Sequence, residues 1–136
     1  MNTSPSVQEI SVVEITKAIL VDLQKLSSYS GEPIAAVYAD NLIRTMRTMR
    51  DKCTTDPYTE VVMALYDALA YSNRWIDCNA SQYQGAYDLL ASLVNQVSIT
   101  NLEVEDSIFT LENLGFNTLP FGIKVEHNQD SDEDEK

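Results

Sequence analysis

Apolar residues recur along this chain at spacings of three and four, the period of an α-helix, in successive blocks set apart by Gly, Pro and capping residues. The first block predicts a helix from about Val7 to Ser28. Ser6 and Glu9 have the spacing of a capping box at its start. Val12, Ile15, Ile19, Leu23 and Leu26 share one face, and Ile10, Val13, Leu20 and Val21 widen it. Gly31 and Pro33 then interrupt the pattern, and a second helix follows with Pro33 in its first turn. Its inner stripe is Ala35, Tyr38, Ala39, Leu42, Met46, Met49 and Cys53, with Asp40, Arg44, Arg47, Arg50 and Asp51 on the outer side.

The third block is the most informative. Asp56 as N-cap and Pro57 as first helical residue open it, and the pattern carries it to about Cys78. Tyr58, Val62, Leu65, Leu69 and Ile76 fall on one stripe, while Ala64, Ala68, Tyr71 and Trp75 fall on the opposite one. Glu60, Asp67 and Arg74, seven apart, mark a narrow polar seam. A helix that is apolar nearly all round is buried on more than one side. The second stripe therefore belongs either to the centre of the bundle or to a subunit interface. Read as an interface, Ala64, Ala68, Tyr71 and Trp75 make the chain a homodimer, two-fold symmetry being the commonest for soluble oligomers.

Asn79 and Gln82 predict another capping box and a fourth helix to about Val97, with Tyr83, Ala86, Tyr87, Leu90, Leu93, Val94 and Val97 inward. Gly85 within it is unfavourable by about 1 kcal/mol against alanine, which points to a close approach by a neighbouring helix. Thr100 and Glu103 open a fifth helix that Gly115 ends, with Val104, Ile108 and Leu111 inward and Leu102 and Phe109 elsewhere. Phe116 stands where a Schellman motif places its hydrophobic contact. The expected fold is all-α: a bundle of four to five antiparallel helices forming one domain over residues 1–125. A short extended strap, from Asn117 to Val125, and a disordered acidic tail over residues 126–136 complete it.

Charge narrows the function classes. The chain of 136 residues has a formal net charge of −12. From Glu126 to Lys136 there are six acids against one lysine, a net of −5, which leaves −7 on the body. Binding to nucleic-acid phosphates or to an anionic membrane surface needs clustered cations, so neither partner is expected. No run approaches the ~20 apolar residues of a membrane span. The N-terminus has no basic and apolar leader pattern, and two cysteines suit a reducing compartment, so a cytoplasmic location is the expectation.

The one basic island is the tandem repeat Arg44-Thr45-Met46-Arg47-Thr48-Met49-Arg50. Of the eight cations in residues 1–125, four lie between Arg44 and Lys52. Three residues apart, Arg44, Arg47 and Arg50 climb one flank of a helix and can grip carboxylates or phosphates bidentately, so an acidic protein segment, or the chain's own tail, is a matching partner. As a solvated face, the same arginines would need only Asp40 and Asp51 as companions.

Signs of catalysis are sparse. His127, the only histidine, sits in the acidic tail, and there is no C-x-x-C pair and no glycine-rich phosphate loop. Cys53 and Cys78 are expected near opposite ends of a helix ~33 Å long at ~1.5 Å per residue, too far apart to pair. Asp67, Asn73 and Arg74 are buried-polar candidates that set register. No cofactor and no metal is called for. The expected function is a non-enzymatic interaction or assembly module that self-associates. The alternative is a regulator binding a small ligand or calcium, and an enzyme working with carboxylates alone stands behind both.

Overall fold

In a computed structural model, which describes residues 12–96 and 98–118, the chain forms five α-helices and, among the described residues, no strand. We label them α1 (Val12–Tyr29), α2 (Ala35–Lys52), α3 (Pro57–Ala70), α4 (Ala80–Val94) and α5 (Asn101–Asn113). A short segment of tight turns, Tyr71–Asp77, lies between α3 and α4. The fold is all-α, as the apolar spacing predicts.

Local chemistry explains most boundaries. Between α1 and α2 the Glu32 N–H donates to the Tyr29 carbonyl at 2.9 Å, with Gly31 at φ +87°, a conformation that glycine adopts without strain. Pro33 lies ahead of α2 rather than within its first turn. No side chain caps α2. Instead the N–H groups of Ala35, Ala36 and Val37 donate three residues back, which satisfies donors that a cap otherwise takes.

At α3, Asp56 accepts the Tyr58 N–H at 2.8 Å, Pro57 is the first helical residue, and the Thr59 hydroxyl donates to the Cys53 carbonyl at 2.7 Å. Both expected capping boxes close reciprocally, Asn79 with Gln82 and Thr100 with Glu103. The end of α5 is a complete Schellman motif. Phe116 N–H donates to Leu111, Gly115 N–H donates to Glu112, Gly115 sits at φ +104°, and Phe116 is buried.

Helix α1 lies along both α2 and α4, while α3 packs on α2 and α5. Ser27, near the end of α1, donates its hydroxyl to the Ala80 carbonyl at the start of α4, so these two helices run antiparallel. Contact on two sides buries Ile15, Ile19, Leu23 and Leu26 of α1, and with them Thr16 and Asp22. Val13 and Val21, expected to widen that face, are exposed instead. The inner stripes of α2, α4 and α5 fall where the spacing places them, with Tyr38, Tyr87, Val94 and Ile108 partly buried at the edges. The expectation for Gly85 also holds: a Cβ there would meet Leu114 Cδ2 at 2.6 Å, so the glycine admits the end of α5.

The third helix departs from its pattern. It has 14 residues and stops at Ala70. Tyr71 is extended (φ −68°, ψ 123°), and Ser72 (φ 50°, ψ 35°) and Asn73 (φ 56°, ψ 38°) are left-handed. Serine and asparagine are weak helix formers, and asparagine enters the left-handed region more readily than most residues. Apolar spacing carries no information about that. The break throws everything after Ala70 out of phase, so Ile76, expected inside, is 63% exposed. It also removes the helix that was to hold Cys53 and Cys78 apart, although no disulfide joins the two. The predicted start at Val7 with its Ser6–Glu9 box, the inward Val97, and residues 119–136 of the strap and tail lie outside the described residues. Among the described residues no helix is long and apolar enough to cross a membrane.

Candidate functional site

The sequence-predicted interface stripe does not survive as one surface. Ala64 and Ala68 are 7% and 3% exposed and belong to the chain's own core, whereas Tyr71, beyond the break, is 47% exposed. Trp75 packs partly against the core, and its carbonyl accepts the buried Tyr83 hydroxyl. These four residues were placed together by continuing a helix through Ser72 and Asn73, which the backbone does not do.

The arginine repeat is placed as expected, on the outer flank of α2. Arg44 pairs with Asp40 one turn earlier, and both side chains stand in solvent. Arg47 and Arg50 are drawn instead to Tyr66 on α3. The Arg47 Nε–H donates to the Tyr66 hydroxyl at 2.9 Å, and the Arg47 and Arg50 guanidinium carbons lie 6.0 and 5.7 Å from the ring centroid. The bond to Tyr66 holds the Arg47 guanidinium above its already high pKa. Arg50 also meets Asp51 at 3.3 Å. The two arginines are thus oriented by a tyrosine, which leaves much of their donor capacity directed outward.

Arg50 in turn stands at the rim of an open groove of about 440 Å³. Met63 and Ala64 of α3 and Ile108 of α5 supply its apolar walls, and Glu60, Asp67 and the buried Thr118 also line it. Burial raises the Asp67 carboxyl above the usual range, an effect that Arg74 partly offsets. Two hydroxyls that face the groove are already committed: Thr59 donates to Cys53, and Thr118 donates to Glu112 at 2.9 Å. The groove offers apolar surface and a polar edge, with no activated nucleophile among these groups.

A smaller pocket of about 220 Å³ lies near the end of α3, between Ala68, Arg74, Cys78, Gln82 and Asn117. Arg74 Nη1 and Asn117 Oδ1 are buried there without a hydrogen bond inside the protein. A group that both accepts and donates, such as a water, a hydroxyl or an amide, complements such a pair. Burial pushes the Cys78 thiol up to about 11, so it is protonated and a poor nucleophile near neutral pH. Among the described residues no group of three His, Cys, Asp or Glu side chains gathers as metal ligands do.

Sequence reading identified the arginines and missed what orients them. Tyr66 and Met63 lay on neither predicted stripe of the third helix. The groove joins residues from α3 and α5 that are more than 40 positions apart, a pairing that periodicity within one helix does not reveal. Comparison with protein-family models, with curated proteins and with solved structures yields no match for this chain.

Proposed function

We propose that this protein is a non-enzymatic interaction module whose binding surface is the Arg44–Arg47–Arg50 flank of α2, Tyr66, and the groove walled by Met63, Ala64 and Ile108. The partner it fits is an acidic peptide segment that also carries apolar side chains. One observation carries this reading. In a chain of net charge −12, Arg47 and Arg50 are held by Tyr66, and Arg50 lines an open groove with apolar walls. Charge complementarity of this kind gives orientation and on-rate, while burial of apolar side chains supplies most of the affinity.

The groove volume falls within the range of ~300–1,000 Å³ typical of built binding clefts. The threonine hydroxyls of the groove, already committed to Cys53 and Glu112, favour binding over chemistry there. The test is a titration of an isotope-labelled full chain with a synthetic peptide alternating Phe and Glu, at low salt. Signals from the Arg47 and Arg50 side chains and from Met63 and Ile108 should move together. Arg47→Ala with Arg50→Ala should weaken binding about tenfold, and by less as salt rises, since screened charges contribute less. Binding that ignores both arginines and salt would remove the reading.

A further inference from the structure

We infer that the pocket between the end of α3, the start of α4 and the end of α5 binds a free α-amino acid, its carboxylate on Arg74 and its ammonium on Asn117. This pocket shares no lining residue with the groove and does not depend on the binding surface proposed above.

Three observations meet there. The first is the backbone just before the site. Ser72 and Asn73 are both left-handed, at φ 50° and 56°, and residues held in that region gather at ligand clamps. The bend sets Arg74 against Gln82 of α4 and against Gly115 and Asn117 beyond α5.

The second is the Arg74 guanidinium. It lies 5.0 Å from the Tyr71 ring centroid, and its Nη1 is buried without an acceptor. A buried guanidinium N–H is costly to leave unpaired, and a carboxylate matches both its charge and its planar fork. Asp67 feels Arg74 through space but lines the groove instead. The third is Asn117 Oδ1, an acceptor buried without a donor. An ammonium supplies that donor, and the exposed Asp77 carboxylate on the same lining balances its charge.

The remaining lining agrees. The Oε1 of Gln82 is taken by the Asn79 N–H at 2.9 Å, which leaves the Gln82 amide NH2 as a second donor for a carboxylate. A Cβ on Gly115 would lie 2.8 Å from that nitrogen, so the glycine gives the amide its room. Buried Ala68 and Phe116 supply apolar surface for a short side chain. The volume of about 220 Å³ is several times the ~30 Å³ share of one water and below the ~300 Å³ of larger ligand clefts. A small amino acid fits that space better than a single bridging water does.

The experiment titrates the full chain with glycine, L-alanine and L-serine at millimolar concentration. Propionate and ethylamine serve as alanine without its ammonium and without its carboxylate. The readouts are the side-chain signals of Arg74, Gln82 and Asn117 and the emission of Trp75, the single tryptophan and the neighbour of Arg74. At least one amino acid should give saturable changes in all of them, and the two half-molecules should bind at least about tenfold more weakly than alanine. Arg74→Gln should abolish binding. Asn117→Ala should weaken it about tenfold, yet without ligand should melt no lower than the wild type, because the lost oxygen makes no bond within the fold. Propionate binding as tightly as alanine would make the pocket a plain anion site and overturn the inference. So would indifference to all three amino acids. An Asn117→Ala variant that melts lower and leaves amino-acid binding unchanged would show a structural asparagine and overturn it as well.

Discussion

At the scale of single residues, two side chains decide where the molecule departs from its apolar spacing. Ser72 and Asn73 both sit at positive φ, where an L-residue other than glycine is strained by roughly 1–2 kcal/mol and asparagine by less. The strain is tolerated because the break lets α3 end at Ala70 and the chain turn toward the capping box at Asn79. Replacing Ser72→Gly should therefore stabilise the fold by up to about 1 kcal/mol, the relief exceeding the added freedom of the unfolded chain. Asn73→Gly should give a smaller gain. Urea unfolding read by circular dichroism checks both, the midpoint rising with an unchanged slope. A loss at Ser72 would show that its hydroxyl, and not the backbone alone, holds the kink.

At the scale of elements, what was legible in the sequence is what local chemistry determines. Asp56-Pro57, Asn79 with Gln82, Thr100 with Glu103, and Gly115-Phe116 each specify a helix end through hydrogen bonds only a few residues long, and the structure contains all of them. The face of α1 was legible only in part. It is buried by α2 on one side and α4 on the other, so Thr16 and Asp22 go inside while Val13 and Val21 stay out. The candidate site was half legible: Arg44, Arg47 and Arg50 announce themselves by scarcity, but Tyr66, Met63 and Ile108 join them only through the α2–α3 and α3–α5 packings. Gly85 tests the α4–α5 contact directly. Gly85→Ala asks only the flexible end of Leu114 to move and gains helix propensity, so its net effect should stay within about 1 kcal/mol. Gly85→Val adds two methyl groups against the same side chain and should destabilise by about 1–3 kcal/mol, as overpacking does. Thermal melts of the two variants separate the cases, and a neutral Gly85→Val would mean that the end of α5 is not seated on α4.

At the scale of the whole molecule, charge governs how stability responds to solution conditions. The chain carries 21 acids against nine Lys and Arg, and the described ion pairs of Lys17 with Glu14, Arg44 with Asp40 and Arg50 with Asp51 are all exposed, a kind that contributes little. Self-repulsion at neutral pH therefore opposes the compact state. Two carboxyls add to it. Burial raises Asp22 and Asp67 above the ordinary aspartate value of 3.8, so the folded chain holds those protons more tightly than the unfolded one. The sign follows from proton linkage. Above the raised folded pKa each group opposes folding in full, and that opposition fades as pH falls through the folded pKa toward 3.8. Stability should consequently rise on acidification from neutrality into the range where the raised Asp22 and Asp67 carboxyls take up protons, opposite to a protein whose carboxylates are held in strong ion pairs. Added salt should raise the melting temperature at neutral pH more than in that acidic range, because it screens a repulsion that protonation has already reduced. Asp22→Asn isolates one of the two groups: it should raise the melting temperature at neutral pH and flatten the pH dependence, with little effect once the wild-type carboxyl is protonated. A melting temperature that falls steadily from neutrality into that range would show that buried-carboxyl and net-charge terms are outweighed by an ion pair that the native fold depends on.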